Sequence, residues 1–232
     1  MDAGPRAGGV FIVLEGPDGA GKSTQARRLA ERLERSGFEV VLVREPGGTP
    51  LGERVRELLL DPAEPMSVRA ELFLFQAARA QLTERVIRPA LAAGRVVVAD
   101  RFYASTAVYQ GFAPGAEMRS PTLDPERAIE LSLLATGGLL PDRTLLLTLP
   151  PERAARRLEA AAHARGTDRF ERREPAFHAA VHEGYRRYRQ LAPEPVVTID
   201  ADRDVDSVAD AVWDAVAPLL GGVRHTEQGA GA

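Results

Sequence analysis

The sequence predicts an α/β fold in three layers, a parallel sheet flanked by helices on both faces, and three observations carry the prediction. Short apolar runs rich in β-branched residues alternate with longer stretches of helical periodicity, the order that a parallel sheet with crossover helices requires. The runs are apolar throughout instead of alternating with polar residues, as strands covered on both faces are. The first run enters a glycine-rich loop that leads directly into a helix, the setting in which such loops wrap phosphate. At 232 residues the chain is long enough for one sizeable core, and one domain over residues 1–232 is expected, its core at about 10–219.

The first strand is Val10 to Leu14 (VFIVL), five apolar residues in a row. From Lys22 to Ser36 the residues Ala26, Leu29, Ala30 and Leu33 recur at helical spacing among charges, and Ser36-Gly37 stops the helix. Glu39 to Val43 reads as the second strand and Leu51 to Leu60 as a short helix. Ser67 to Ala93 reads as one long helical stretch, with Pro89 near its end and Gly94 as punctuation. Arg95 to Asp100 (RVVVAD) is the clearest buried strand and ends on a carboxylate; Thr144 to Leu149 and Val196 to Ile199 are further strands. Helices are expected over Ala104 to Tyr109, Asp124 to Ala135, Pro151 to Ala164, Pro175 to Leu191 and Val205 to Leu219. Phe112 to Pro121 and His163 to Glu174 are irregular and the segments most able to move, and the Gly-rich polar tail 221–232 is expected to be disordered. In such a sheet functional groups gather at the carboxyl ends of the strands.

Composition narrows the partners. A formal charge of -3 gives no global basic field, so nucleic acid is not expected and any anion site must be local. No run approaches the roughly 18 to 20 apolar residues of a membrane helix, so no membrane partner is expected. The first nine residues lack a basic region followed by an apolar one, and the absence of cysteine excludes disulfides and thiolate metal sites. A cytoplasmic location is the default expectation.

Among the 30 basic residues Lys22 is the sole lysine, and it stands in Gly16-Pro17-Asp18-Gly19-Ala20-Gly21-Lys22-Ser23, a complete G-x-x-x-x-G-K-[ST] pattern. A chain that uses arginine elsewhere has kept one compact ammonium here, which reads as chemistry and not as surface charge. Gly16, Pro17, Asp18, Gly19, Ala20, Gly21, Lys22, Ser23 and Thr24 are therefore expected to hold a nucleoside triphosphate, with backbone N–H groups and the helix N-terminus facing the phosphates. Lys22 can reach the β and γ phosphates, and the Ser23 hydroxyl can ligate Mg²⁺. A strand-to-helix turn that merely contains glycines is the bland alternative, and the full pattern arises by chance in fewer than roughly one such chain in a thousand. Asp100, ending its strand, is placed to hold the metal's water shell, or is a simple turn residue. The loop alone does not separate a kinase from a switch GTPase or a motor. Guanine-specific switches read their base with Asn-Lys-x-Asp, which a chain with no asparagine and no second lysine cannot supply.

Four stretches narrow the choice further: Glu15 to Thr24 (EGPDGAGKST), Arg44 to Thr49 (REPGGT), Phe75 to Arg79 (FQAAR) and Asp100 to Ser105 (DRFYAS). Together they resemble the thymidylate kinase family, nucleoside monophosphate kinases with the P-loop NTPase fold, over about Phe11 to Leu219. The resemblance implies ATP as phosphoryl donor, Mg²⁺, dTMP as acceptor and a homodimer. Phe75 and Arg79 are four apart and share a helix face, although a helix rich in Leu72, Phe73 and Leu74 could hold Phe75 as core. The resemblance implies that Phe75 stacks on thymine and that Arg79 contacts the base. It also places Glu45 and Arg56 at the acceptor, gives Arg101 the acceptor phosphate, and assigns base and sugar contacts to Ser105, Thr106, Tyr109 and Gln110. Asp18 matches the acidic residue that contacts the acceptor's sugar and orders its phosphate.

Phosphoryl transfer brings like charges together and must exclude water, so a closing segment rich in arginine is needed. His163 to Glu174 has that composition, a Gly166 hinge and a lid-like Asp168-Arg169-Phe170-Glu171, although a solvated charged helix would look similar in an arginine-biased chain. Some family members carry an arginine in the phosphate loop where this chain has Gly19. The transition-state cation is therefore expected from the lid, from Arg165 and Arg169, with Arg157 in reserve; Lys22, Asp18 and Arg101 complete the catalytic set. A kinase for UMP or CMP and an ATP-binding regulatory module without an acceptor are the alternatives.

Overall fold

The computed structural model describes residues 8–63, 65–113, 123–165 and 167–223, the side chains of 161–165 excepted. Most of the expected irregular stretch 112–121, the hinge Gly166 and the tail from 224 lie outside the described residues. Five strands form one parallel sheet: β1 (Val10–Glu15), β2 (Val40–Arg44), β3 (Val96–Asp100), β4 (Arg143–Thr148) and β5 (Val196–Asp200), in spatial order β2-β3-β1-β4-β5. The order puts β1 at the centre, with Leu14 paired to Asp100 on one side and Glu15 to Leu146 on the other. The chain builds β2 and β3 on one side of β1 and then crosses to β4 and β5 on the other, so a crevice opens beyond the carboxyl end of β1.

The period-2 alternation of β1 feeds two cores. Val10, Ile12 and Leu14 pack with Val96, Val98, Leu145 and Leu147 under α1 (Lys22–Arg35) and α9 (Val205–Val216). Phe11 and Val13 pack with Val97, Ala99 and Leu146 on the other face, against Leu82 and Ile87 and against Val181, Tyr185 and Tyr188 of α8 (Pro175–Leu191). All six β1 residues are buried, as an unbroken apolar run predicts, whereas the edge strands β2 and β5 are only partly so.

The remaining helices are α2 (Pro50–Leu60), α3 (Val68–Leu82), α4 (Arg88–Ala92), α5 (Tyr103–Thr106), α6 (Pro125–Ala135) and α7 (Pro151–Arg165). Thr49 caps α2 by accepting the Gly52 N–H, and Ser67 caps α3 through the Ala70 N–H. The expected stretch Ser67 to Ala93 is continuous but not uniform: a π-turn over Thr83–Ile87 joins α3 to α4. Pro89 has no N–H to give, and it falls in the first turn after the widened one, where no intrahelical donor is needed. A second π-turn, Ala107–Phe112, prolongs α5 past the expected Tyr109. The second strand starts one residue late because Glu39 lends only its carbonyl, to the Val96 N–H at 2.8 Å.

Candidate active site

The loop between β1 and α1 is shaped by glycines that no other residue can replace without strain. Gly16 has φ 141°, and a Cβ there would lie 2.3 Å from the Leu147 carbonyl oxygen; Gly19 has φ 80°, and its Cβ would lie 2.5 Å from that of Ala154. Lys22 is 6% exposed, with its Nζ donating to the Pro17 carbonyl at 2.7 Å and lying 3.8 Å from Asp18. Burial and then Arg101 push the Lys22 ammonium down to about 8, against the pull of Asp18, Asp100 and Glu15. The Ser23 hydroxyl donates to the Asp100 carboxylate. Asp18, Gly19, Gly21, Lys22, Ser23 and Thr24 line a cavity of about 960 Å³, with Gly16, Pro17 and Ala20 behind them.

Arg101 joins this loop to the opposite half of the same cavity. It has φ 73°, the one described non-glycine residue with positive φ, and the turn it makes aims its guanidinium back across β1. Nη2 pairs with Asp18, while Nη1 donates to Ser105 Oγ at 2.9 Å, Tyr185 Oη at 3.0 Å and the Gly16 carbonyl at 3.3 Å. Burial alone would raise the Asp18 pKa, but Arg101, Lys22 and the Tyr109 hydroxyl at 2.8 Å hold it well below the usual carboxylate range. Glu15 organises the turn from beneath. Its fully buried carboxylate accepts the Phe102 and Ser105 N–H groups at 2.8 and 3.1 Å, and the Ser105 and Tyr185 hydroxyls at 2.8 and 3.0 Å. Burial raises its pKa, opposed by Arg101 and by those hydrogen bonds.

The far wall is aromatic. Phe75 lines the cavity with its ring 6.0 Å from that of Phe170, and Tyr109 meets Phe170 edge-on at 5.9 Å. Thr106, Gln110 and Glu45 complete it, and each has a buried oxygen without a hydrogen-bond partner among the described residues: Thr106 Oγ1, Gln110 Oε1 and Glu45 Oε1. Such orphaned acceptors are costly unless a ligand uses them. Arg56 also lines the cavity, tethered to the Pro46 carbonyl at 2.9 Å.

Two of the expected residues are not brought to the cavity. Arg79 does not line the cavity: it is 1% exposed, and its guanidinium donates to Glu45 and Gln76 at 2.8 and 2.9 Å, to the Phe102 carbonyl at 3.2 Å and to Ser132 at 3.4 Å. It braces the wall from behind, and burial pushes its partner Glu45 up to about 7 against the pull of Arg79. Arg169 does not face the phosphate loop. Its backbone N–H and Nε donate to the Leu60 and Leu59 carbonyls at 3.2 and 2.9 Å, and Nη2 pairs with Glu71 at 2.8 Å. The Arg165 side chain lies outside the described residues. Arg157 is the α7 arginine beside the loop, with Nη1 3.5 Å from the Gly19 carbonyl and Nη2 3.0 Å from that of Ala201. Within the expected lid it is Asp168, Phe170 and Glu171 that line the cavity.

Sequence reasoning passed over Glu71 and Tyr185, and named Glu15 and Phe170 only as members of motifs, without a role of their own. Glu71 had a signal: Glu71, Phe75 and Arg79 are spaced by four and share a face of α3. Tyr185, on a helix distant in sequence, had none. No described helix is long and apolar enough to cross a membrane.

Comparison with known proteins gives a consistent result. A family model described as thymidylate kinase matches residues 14–212. A thymidylate kinase of Ectopseudomonas mendocina is 49% identical over 213 residues, covering 91% of this chain and 96% of that protein. One of Exiguobacterium is 42% identical over 219 residues, covering 93% and 99%, and one of Deinococcus radiodurans is 42% identical over 208 residues, covering 90% and 96%.

Proposed function

The chain belongs to the thymidylate kinase family, and on that premise we propose that it transfers the γ-phosphoryl group of ATP to dTMP, giving ADP and dTDP on the route to dTTP. The observation that carries the reading is the Asp18–Arg101 pair, which joins a phosphate loop to an aromatic acceptor wall within one cavity. A regulatory module without an acceptor has no need of the second half.

In this reading Lys22 leaves the Pro17 carbonyl for the β and γ phosphates, and the backbone N–H groups of residues 16–24 cradle them. Phe75 stacks on thymine, and Thr106 and Gln110 offer their unpartnered oxygens to base and sugar. Arg101 and Arg56 hold the acceptor phosphate, Glu45 orders the wall, and Ser105, Tyr109 and Asp18 position Arg101 and the sugar. No general base is needed, because a monophosphate dianion is already nucleophilic near neutral pH. Arg157 is the described arginine best placed to meet charge developing between the phosphates. Hard oxygens at Ser23 and Asp100 suit Mg²⁺, whose remaining partners would be phosphate and water, since the described residues hold no cluster of three or more metal-ligating side chains. When bound, Mg²⁺ neutralises phosphate charge. The whole chain acts as one kinase domain, with residues 163–174 as its lid.

Exposed Phe73 and Leu134 on the neighbouring helices α3 and α6 support a homodimer. Diffusible substrates and the absence of cysteine support a cytoplasmic location. The test is ADP release with dTMP, dUMP, UMP, CMP, AMP and GMP as acceptors. Stimulation by dTMP above all others is expected. ATP binding without stimulation by any monophosphate would favour the regulatory module.

A further inference from the structure

Glu71 lies on α3 behind the aromatic wall, 2% exposed, and three groups converge on its carboxylate. Oε1 accepts from Gln110 Nε2 at 2.6 Å, and Oε2 forms an ion pair with Nη2 of Arg169 at 2.8 Å and accepts from Nη2 of Arg173 at 3.4 Å. Paired with two guanidiniums, the carboxylate is an acceptor at both oxygens.

That fixes something the shape of Gln110 leaves open. A glutamine amide can present either its oxygen or its NH₂ to a ligand with almost no change in shape, and its neighbours decide which. Beside a pure acceptor only the NH₂ is satisfied, so Nε2 turns to Glu71 and Oε1 is left without a partner in a residue that lines the cavity. An oxygen offered to a pyrimidine suits a ring whose N3 carries hydrogen, as in thymine and uracil, and is repelled by the bare N3 of cytosine.

We propose that Glu71 is a specificity-determining positioning residue: by locking the Gln110 amide it selects imide pyrimidines over cytosine. The same carboxylate anchors Arg169 and Arg173, which flank Phe170 and hold its ring against Phe75 and Tyr109. Base selection and placement of the segment that carries Phe170 therefore share one anchor. The inference rests on the dTMP reading above.

The experiment compares the KM for dTMP with the inhibition constant of dCMP as its competitor, in the wild type, Glu71→Gln, Glu71→Asp and Gln110→Leu. Glutamine at 71 can donate as well as accept, so Gln110 is freed to flip. The dCMP:dTMP ratio should fall about tenfold or more, with the KM for ATP unchanged. Aspartate remains a pure acceptor and should keep the ratio within about threefold. Gln110→Leu, which removes the selecting oxygen, should lose the ratio even if Glu71→Gln fails to fold. A Glu71→Gln enzyme weakened equally toward both nucleotides, or a Gln110→Leu enzyme with the wild-type ratio, overturns the inference. Wild-type protein inert toward dTMP would strike the underlying reading instead, and shows before any variant is made.

Discussion

At the scale of single residues, the lone lysine is held in a close, buried setting. Lys22 is buried between the Pro17 carbonyl and Asp18, and its pKa is depressed to about 8 by burial and Arg101. The cationic form is the one that binds phosphate, so affinity for ATP is present below that value and is lost as pH rises through it. The profile of kcat/KM for ATP should be level near neutrality and fall toward unit slope above about pH 8, well before the 10.5 of an ordinary lysine. Bound phosphates favour the ammonium, so kcat at saturating ATP should hold to higher pH. A kcat/KM profile level to pH 10 would contradict this account. Lys22→Arg keeps the charge but not the shape, and should cost about 100-fold or more in kcat. Gly19 is constrained in the opposite sense. At φ 80°, with the Ala154 oxygen 2.5 Å from where a Cβ would sit, Gly19→Ala should cost about 1–3 kcal/mol, read as a lower Tm, and should raise the KM for ATP. An arginine at this position of the loop is closed to this chain by the approach of α7.

At the scale of elements, α7 and the segment after it divide what the sequence assigned to one lid. Arg157 of α7 reaches the Gly19 carbonyl, whereas Arg169 is tied to the end of α2 and to Glu71 of α3. Arg157→Ala should therefore lower kcat about 100-fold with a small change in the KM for ATP, and Arg169→Ala should act on the KM for dTMP instead. Steady-state kinetics with each substrate varied separates the two, and a kcat loss confined to Arg169→Ala would return the transition-state role to that residue. The strands and the phosphate loop were legible because β1 and β3 are unbroken apolar runs whose partners hardly matter, and because the glycine pattern specifies its own backbone. Placement within α3 was not. Leu72 is buried and Phe73 is 61% exposed, yet the two are equivalent in a run of apolar residues until the neighbouring helices are known. The depth of Arg79 was hidden for the same reason: its face was legible, but how deep the side chain lies depends on Glu45, Ser132 and Phe102, which come from three other segments. The i, i+4 spacing that put Arg79 beside Phe75 also put Glu71 there, and only tertiary contacts separate wall from brace.

At the scale of the whole molecule, the back of the acceptor wall is itself an unsatisfied surface. Phe73 on α3 is 61% exposed, Leu134 on α6 is 79% exposed and Leu58 on α2 is 48% exposed. α3 packs against both α2 and α6, so these side chains stand on adjacent helices. In the proposed homodimer a second copy of the chain would cover these exposed apolar groups. The same helix α3 presents Phe75 and Glu71 inward, so a charge forced into the interface should be felt in the acceptor pocket more than at the phosphate loop, which stands on β1 and α1. The wild type should scatter light as twice 25.1 kDa, and Phe73→Glu combined with Leu134→Glu should scatter as a single chain. In the monomer the KM for dTMP should rise about tenfold while the KM for ATP changes less than about threefold, because the loss of one packed face loosens α3 without touching the glycine loop. A wild type that is already monomeric would overturn the homodimer, and a double variant that remains dimeric would place the interface elsewhere. A monomer with both KM values unchanged would show that the acceptor wall stands without the support of its partner.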